Sequence, residues 1–246
     1  MSQAANYLLA SLAVVTSLSS VLHAQDAMAV TFKQIHKEYL ALKQAPTVAG
    51  LVQLDRRLRD LLPRYSWKRQ PRVSTTYLEP AYREMGLTRA LFDGDFLTYS
   101  GKLLADAHAR DPQSPLRSHT LYSTIFSPGG EASNEVPSPA LAEAYVREFP
   151  SGPFNIEAHL TLAYFYDDLF KVIRREETDR RVGYKYDCFV PSLTTQPLSA
   201  QRRAAQDKGL RFYERLVPML PEVQAIKDGL AALRDGTTQG WHYCAD

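Results

Sequence analysis

The stretch LAEAYVREFPSGPF, residues 141–154, decides how this chain is built. It opens with small and apolar residues at helical spacing, then meets Phe149, Pro150, Gly152 and Pro153. Proline lacks the N–H and the backbone freedom that a helix interior needs, so the run reads as the end of one helix, a tight turn, and the entry to another. An echo lies 37 residues earlier, LADAHARDPQSPL at residues 104–116, again with alanines, an arginine, an acid and two prolines. Two such junctions in one chain imply paired helices, with Ala105, Ala107, Ala142 and Ala144 allowing close contact and Arg110, Asp111, Arg147 and Glu148 at the surface.

Working outward, most segments carry a helical period. The residues TFKQIHKEYLALKQA (31–45) space Phe32, Ile35, Tyr39 and Leu42 along one face, and Pro46 ends the run. Thr47 can cap the next helix, VAGLVQLDRRLRDLL, which Pro63 stops. Further helices are expected at 76–86, 88–109, 116–126, 138–149, 155–178, 198–217 and 221–235. Alternating β-branched runs are missing from the sequence, so no strand ladder is expected. The fold class expected is all-α, as stacked antiparallel helical hairpins. Irregular loops are expected at 127–139, dense in Gly, Pro and Ser, and at 180–197, which carries Tyr184, Tyr186, Cys188 and Phe189.

Winding 157–173 at about 100° per residue places Ala158, His159, Leu162, Ala163, Phe165, Tyr166, Leu169, Phe170, Val172 and Ile173 on one wide apolar half. Glu157, Leu160, Thr161, Tyr164, Asp167, Asp168 and Lys171 share the other side. This helix should be a central support of the fold. His159 falls among apolar residues and reads as a hydrogen-bonded core histidine. It cannot face Glu157, two positions away, as a metal or acid–base pair. Asp167 and Asp168 diverge around the helix, and the spacing pairs Lys171 with Asp167 on a solvated face.

The first 24 residues contain no Lys, Arg, Asp or Glu and centre on YLLASLAVVTSLSSVL (7–22). That run is short for a bilayer span and suits the apolar region of a secretory signal. Residues 1–29 are therefore expected to be a signal peptide, with cleavage after Ala24 or Ala29, ahead of a single helical domain at 30–246. The location expected is the periplasm or outside the cell, with no stable membrane anchor once the signal is cut. In that oxidising setting the two cysteines, Cys188 and Cys244, are expected to form one disulfide tying the Tyr-rich loop to the C-terminus.

Charge is nearly balanced, 29 basic against 27 acidic side chains, so no global field points to nucleic acid. Basic clusters at Arg56, Arg57 and Arg59, at Lys68, Arg69 and Arg72, and at Arg174, Arg175, Arg180 and Arg181 mostly have acids nearby and read as solvated helix faces. Only RYSWKRQPR (64–72) joins arginines to an aromatic without an acid, which would suit an anionic partner. No G-x-S-x-G, Walker loop, G-x-G-x-x-G, H-E-x-x-H or C-x-x-C-H occurs, and His36, His108, His119 and His242 are scattered. Metal and cofactor binding are not expected.

Helical hairpins recurring at about 34 residues mark tetratricopeptide repeats. Tyr145 stands eight before Pro153 with Leu141 four before it; Leu162, Ala163 and Tyr166 then match the start of the next unit, and Gly209, Tyr213 and Pro221 repeat the small–aromatic–proline spacing. Residues 104–170 and 205–235 thus resemble a degenerate tetratricopeptide array, an α-solenoid or a compact α–α stack. In such arrays the first helix of each hairpin lines a concave surface. The resemblance implies that Glu157, Tyr164, Asp167 and Asp168 are groove residues offering carboxylates and an aromatic ring to a basic or N-terminal peptide. It implies a protein-binding or scaffold module without catalysis of its own. The alternatives are a small periplasmic hydrolase or cell-wall enzyme, and an immunity protein that blocks a secreted toxin.

Overall fold

The computed structural model describes residues 27–62, 73–89, 96–126, 136–178, 189, 193–237, 242 and 243. The leader residues 1–26, both cysteines, the stretch 64–72 and most of the two expected loops lie outside the described residues. The chain separates into two compact units, Met1–Pro46 and Thr47–Asp246.

The first unit contributes one described helix, α1 (27–44), broken before Pro46. Its exposed side chains pair one turn apart, as in the 2.8 Å bond from Gln34 to Glu38.

The second unit is mostly helical. α2 (Val48–Leu61) starts where expected, with the Thr47 hydroxyl accepting from the Gly50 N–H at 3.1 Å. It packs on α3 (Lys102–Arg110), which buries Leu103, Leu104 and Ala107. Between them the all-helical expectation fails. Residues 76–86 form 3-10 turns, Thr75–Tyr77 and Pro80–Met85, and the helix expected from 88 is replaced by two short strands. These are β1 (Leu87–Arg89) and β2 (Leu97–Tyr99), paired antiparallel with Leu87 opposite Tyr99 and Arg89 opposite Leu97. Three residues are too few to show alternation against the background, and their apolar members, Leu87 and Leu97, fit a helical period equally well. Both are buried, so the hairpin closes over the core rather than over solvent.

The quoted echo is realised as two helix–turn–helix junctions. α3 turns through Asp111–Leu116 into the short α4 (Arg117–Thr120), continued by a 3-10 turn at Leu121–Ile125. α5 (Pro139–Glu148) turns through 149–154 into α6 (Asn155–Thr178). Tyr145 fixes this second turn: its buried hydroxyl donates to the Ser118 carbonyl at 2.7 Å and accepts the Phe154 N–H at 3.2 Å. Of the four alanines, Ala107 and Ala142 are buried, Ala144 is half-buried and Ala105 is exposed. Arg117 and Glu148 form an ion pair that joins the two junctions.

α6 packs on α5 and, over a longer seam, on α7 (Leu198–Met219), which in turn packs on α8 (Gln224–Arg234). The α7–α8 seam depends on glycine. A Cβ on Gly209 would strike Leu233, and one on Gly229 would lie 2.7 Å from the Tyr213 ring. The expected two-sided character of α6 is corrected: every residue from Glu157 to Ile173 is buried except Tyr164, which is half-buried. The helix is surrounded, so its polar residues needed internal partners.

Candidate functional site

The polar side of α6 meets α7 and the segment 242–243. Adjacent carboxylates point about 100° apart on a helix, so Asp167 and Asp168 find different partners. Asp168, fully buried, accepts two successive main-chain N–H groups with one oxygen: His242 at 3.0 Å and Tyr243 at 2.8 Å. The Lys171 ammonium stands 3.6 Å from its other oxygen. This corrects the expected Asp167–Lys171 pairing, because Lys171 lies three residues on from Asp168 and turns toward it. Burial raises the Asp168 carboxyl from 3.8 to about 6, against the pull of His242, the two N–H groups and Lys171. Burial likewise lowers Lys171, with Asp168 and Asp167 opposing.

Asp167, 1% exposed, uses a single oxygen. Its Oδ2 accepts from the Tyr213 hydroxyl at 3.2 Å and lies 3.3 Å from His242 Nε2. In this pair the imidazole N–H is the donor and the carboxylate oxygen the acceptor. Its Oδ1 is buried and has no hydrogen-bond partner among the described residues. Burial next to Asp167 pushes the Tyr213 hydroxyl well up, which keeps it a donor. The His242 ring lies flat on Tyr164, 3.8 Å between centroids at 3°. Tyr243 is buried beside it, with its hydroxyl 3.5 Å from the Thr161 carbonyl.

The arrangement is a seat for a short piece of backbone. Asp168 holds the main chain, Tyr164 supports a planar side chain, and Asp167 meets that side chain's N–H. The occupant here is the chain's own His242–Tyr243. Three of the four expected groove residues, Tyr164, Asp167 and Asp168, therefore come together, although the two carboxylates are buried under the segment they hold. Glu157 is not among them. It is buried about 16 Å away along the axis at 1.5 Å per residue, near enough to Tyr145 to add to the rise that burial causes in that hydroxyl. His242 was missed by sequence reasoning, since it lies 74 positions from Asp168 and shares no local pattern with it.

Two other polar clusters tie elements together without such a seat. Asp55, buried, accepts from the Tyr99 hydroxyl and from Arg59 Nε, both at 2.7 Å. The Arg59 guanidinium lies over Phe154, Tyr99 and Tyr122 at 4.8, 5.6 and 5.7 Å. The expected solvated face of Arg59 is thus corrected: it is a core cation boxed by rings. Nearer the surface, Glu143 accepts from Tyr166 at 2.7 Å and Lys208 at 2.8 Å, joining α5, α6 and α7. Desolvation opposes this network, but the bonds from Lys208 and Tyr166 leave Glu143 below its ordinary value. Tyr166 is pushed up to about 12, mainly by burial. His159 is buried and donates from Nδ1 to the Asn155 carbonyl at 2.8 Å, the core histidine expected from its position.

Among the described residues, no three His, Cys, Asp or Glu side chains are placed to hold a metal ion. Nor is any described helix long and apolar enough to cross a membrane. Family models, characterised proteins and solved structures yield no match to this chain.

Proposed function

We propose that this protein is an exported, tetratricopeptide-like stack of helical hairpins that works by binding extended protein or peptide segments, in the periplasm or outside the cell. The observation that carries this reading is the seat on α6. It holds a dipeptide through consecutive main-chain N–H groups and a stacked ring, which is how a protein binds backbone with limited demand on sequence. Helices that pack neighbour on neighbour from α5 to α8 give that seat a rigid support. Catalysis and a cofactor are not part of the proposal.

Selection of random displayed peptides against the full mature chain tests it. Enriched peptides should lose binding at least tenfold when Tyr164→Ala and Asp168→Ala are introduced. Absence of enrichment, or enriched peptides indifferent to both changes, would refute it. A second reading, a small envelope hydrolase, draws on one observation, the Asp167–His242 pair. It requires a turnover of cell-wall or ester substrates that His242→Ala abolishes, and such turnover would displace the binding reading.

A further inference from the structure

Resting on the peptide-binding reading above, we infer that the seat on α6 is an interaction surface for extended segments carrying an arginine followed by an aromatic residue, and that His242–Tyr243 fills it as a weaker resident. The seat's own geometry points to this ligand. The two main-chain N–H groups taken by Asp168 are available from any residue pair without proline, so they supply hold and not choice. Choice comes from the side chains. The second position enters buried space beside α6, where Tyr243 reaches the Thr161 carbonyl, so a flat ring with a polar tip fits.

The first position is where the resident falls short. Its ring lies on Tyr164 and offers one N–H to Asp167 Oδ2, an oxygen already bonded by Tyr213. Asp167 Oδ1 is left buried with no donor among the described residues. A buried acceptor without a partner is destabilising, because the water it gave up is not replaced by a bond. An imidazole cannot serve both oxygens from one nitrogen. A guanidinium can, because its fork presents parallel N–H groups to a carboxylate while its plane stacks on an aromatic face. Arginine in the place of His242 would therefore keep the stacking and supply the missing bond. Lys171 stands beside Asp168 at 3.6 Å, so Asp167 is the carboxylate that the incoming charge would meet.

The resident is tethered, so it competes at high effective concentration and lowers the apparent affinity of any incoming segment by the fraction of chains with an open seat. The test uses labelled heptapeptides with the sequence of residues 240–246, Cys244 replaced by Ser, and His, Arg or Ala at the position matching His242. Binding is read by fluorescence anisotropy against the full chain and against a full chain carrying His242→Gly and Tyr243→Gly. His242→Gly alone serves as a second host that keeps both main-chain N–H groups and Tyr243. The Arg peptide should bind either altered host at least tenfold tighter than the unaltered chain, and tenfold tighter than the Ala peptide. Adding Tyr164→Ala should erase the preference for Arg over Ala. Equal binding of the Arg and Ala peptides, equal binding to altered and unaltered hosts, or dimers formed by exchanged tails in sedimentation would each overturn the inference. Displayed peptides that need Tyr164 and Asp168 yet show no arginine preference would leave the peptide-binding reading standing while removing this one.

Discussion

Asp168 makes the stability of the Thr47–Asp246 unit depend on pH in an unusual direction. Its carboxyl is raised from 3.8 to about 6 by burial, so the native state holds the proton more tightly than the unfolded chain does. Linkage then gives a contribution that is greatest at low pH and is lost as pH rises through about 6. With those two values the native state gains about 1.3 kcal/mol between pH 7 and pH 5, and about 2.4 kcal/mol by pH 4. Other carboxylates act against it: Glu143, held below its ordinary value by Lys208 and Tyr166, loses stabilisation as pH falls. The contribution of Asp168 is isolated by comparing the unaltered chain with Asp168→Asn, whose amide oxygen can still accept from the N–H groups of His242 and Tyr243. Urea unfolding at 25 °C and pH 7, 6, 5 and 4 would supply the two profiles. The unaltered chain should gain about 2 kcal/mol on the variant across that range. Parallel profiles would refute the reasoning, because they would mean that Asp168 is solvated rather than sealed beneath 242–243.

Two further outcomes follow from the packing. Gly229→Ala places a methyl group within 2.8 Å of the Tyr213 ring and hydroxyl, and that hydroxyl is engaged by Asp167. The overpacking costs about 1–3 kcal/mol against a gain of about 1 from helix propensity, so a net loss of up to about 2 kcal/mol is expected in urea unfolding. Asp55→Ala strips the anion from a guanidinium boxed by three rings and should cost about 3–5 kcal/mol, whereas Lys208→Met, at a half-exposed network, should cost under about 1 kcal/mol; thermal unfolding of the two variants compares them directly.

What could be read from the residues follows from how local the cause is. α6 and α5, with the turn between them, follow from short-range rules: Pro139 opening a helix, the Pro150 and Pro153 turn, and Tyr145 spaced to pin it. Thr47 caps α2 and His159 is a core histidine, each for reasons within four residues of its own position. The β1–β2 hairpin escaped because its strands are too short to alternate visibly and because Leu103 and Leu104 continue an apparent helical period. Arg59 carries no local sign of its box, since Tyr99, Tyr122 and Phe154 come from three later elements. The same holds for the seat. Tyr164, Asp167 and Asp168 stood out as a polar side on a helix, but the reason they could be buried lies in residues 242–243, and only the fold brings those to them.

The distance along the chain between Asp168 and its N–H donors has a consequence for synthesis. A ribosome that has completed α6 at Thr178 must add more than sixty residues before His242 and Tyr243 exist. Until then Asp168 lacks its two main-chain N–H donors and Asp167 lacks its imidazole partner, so this surface of the helix stays incomplete during elongation. The nascent chain is thereby kept from reaching its final packing until residues 242 and 243 have been added.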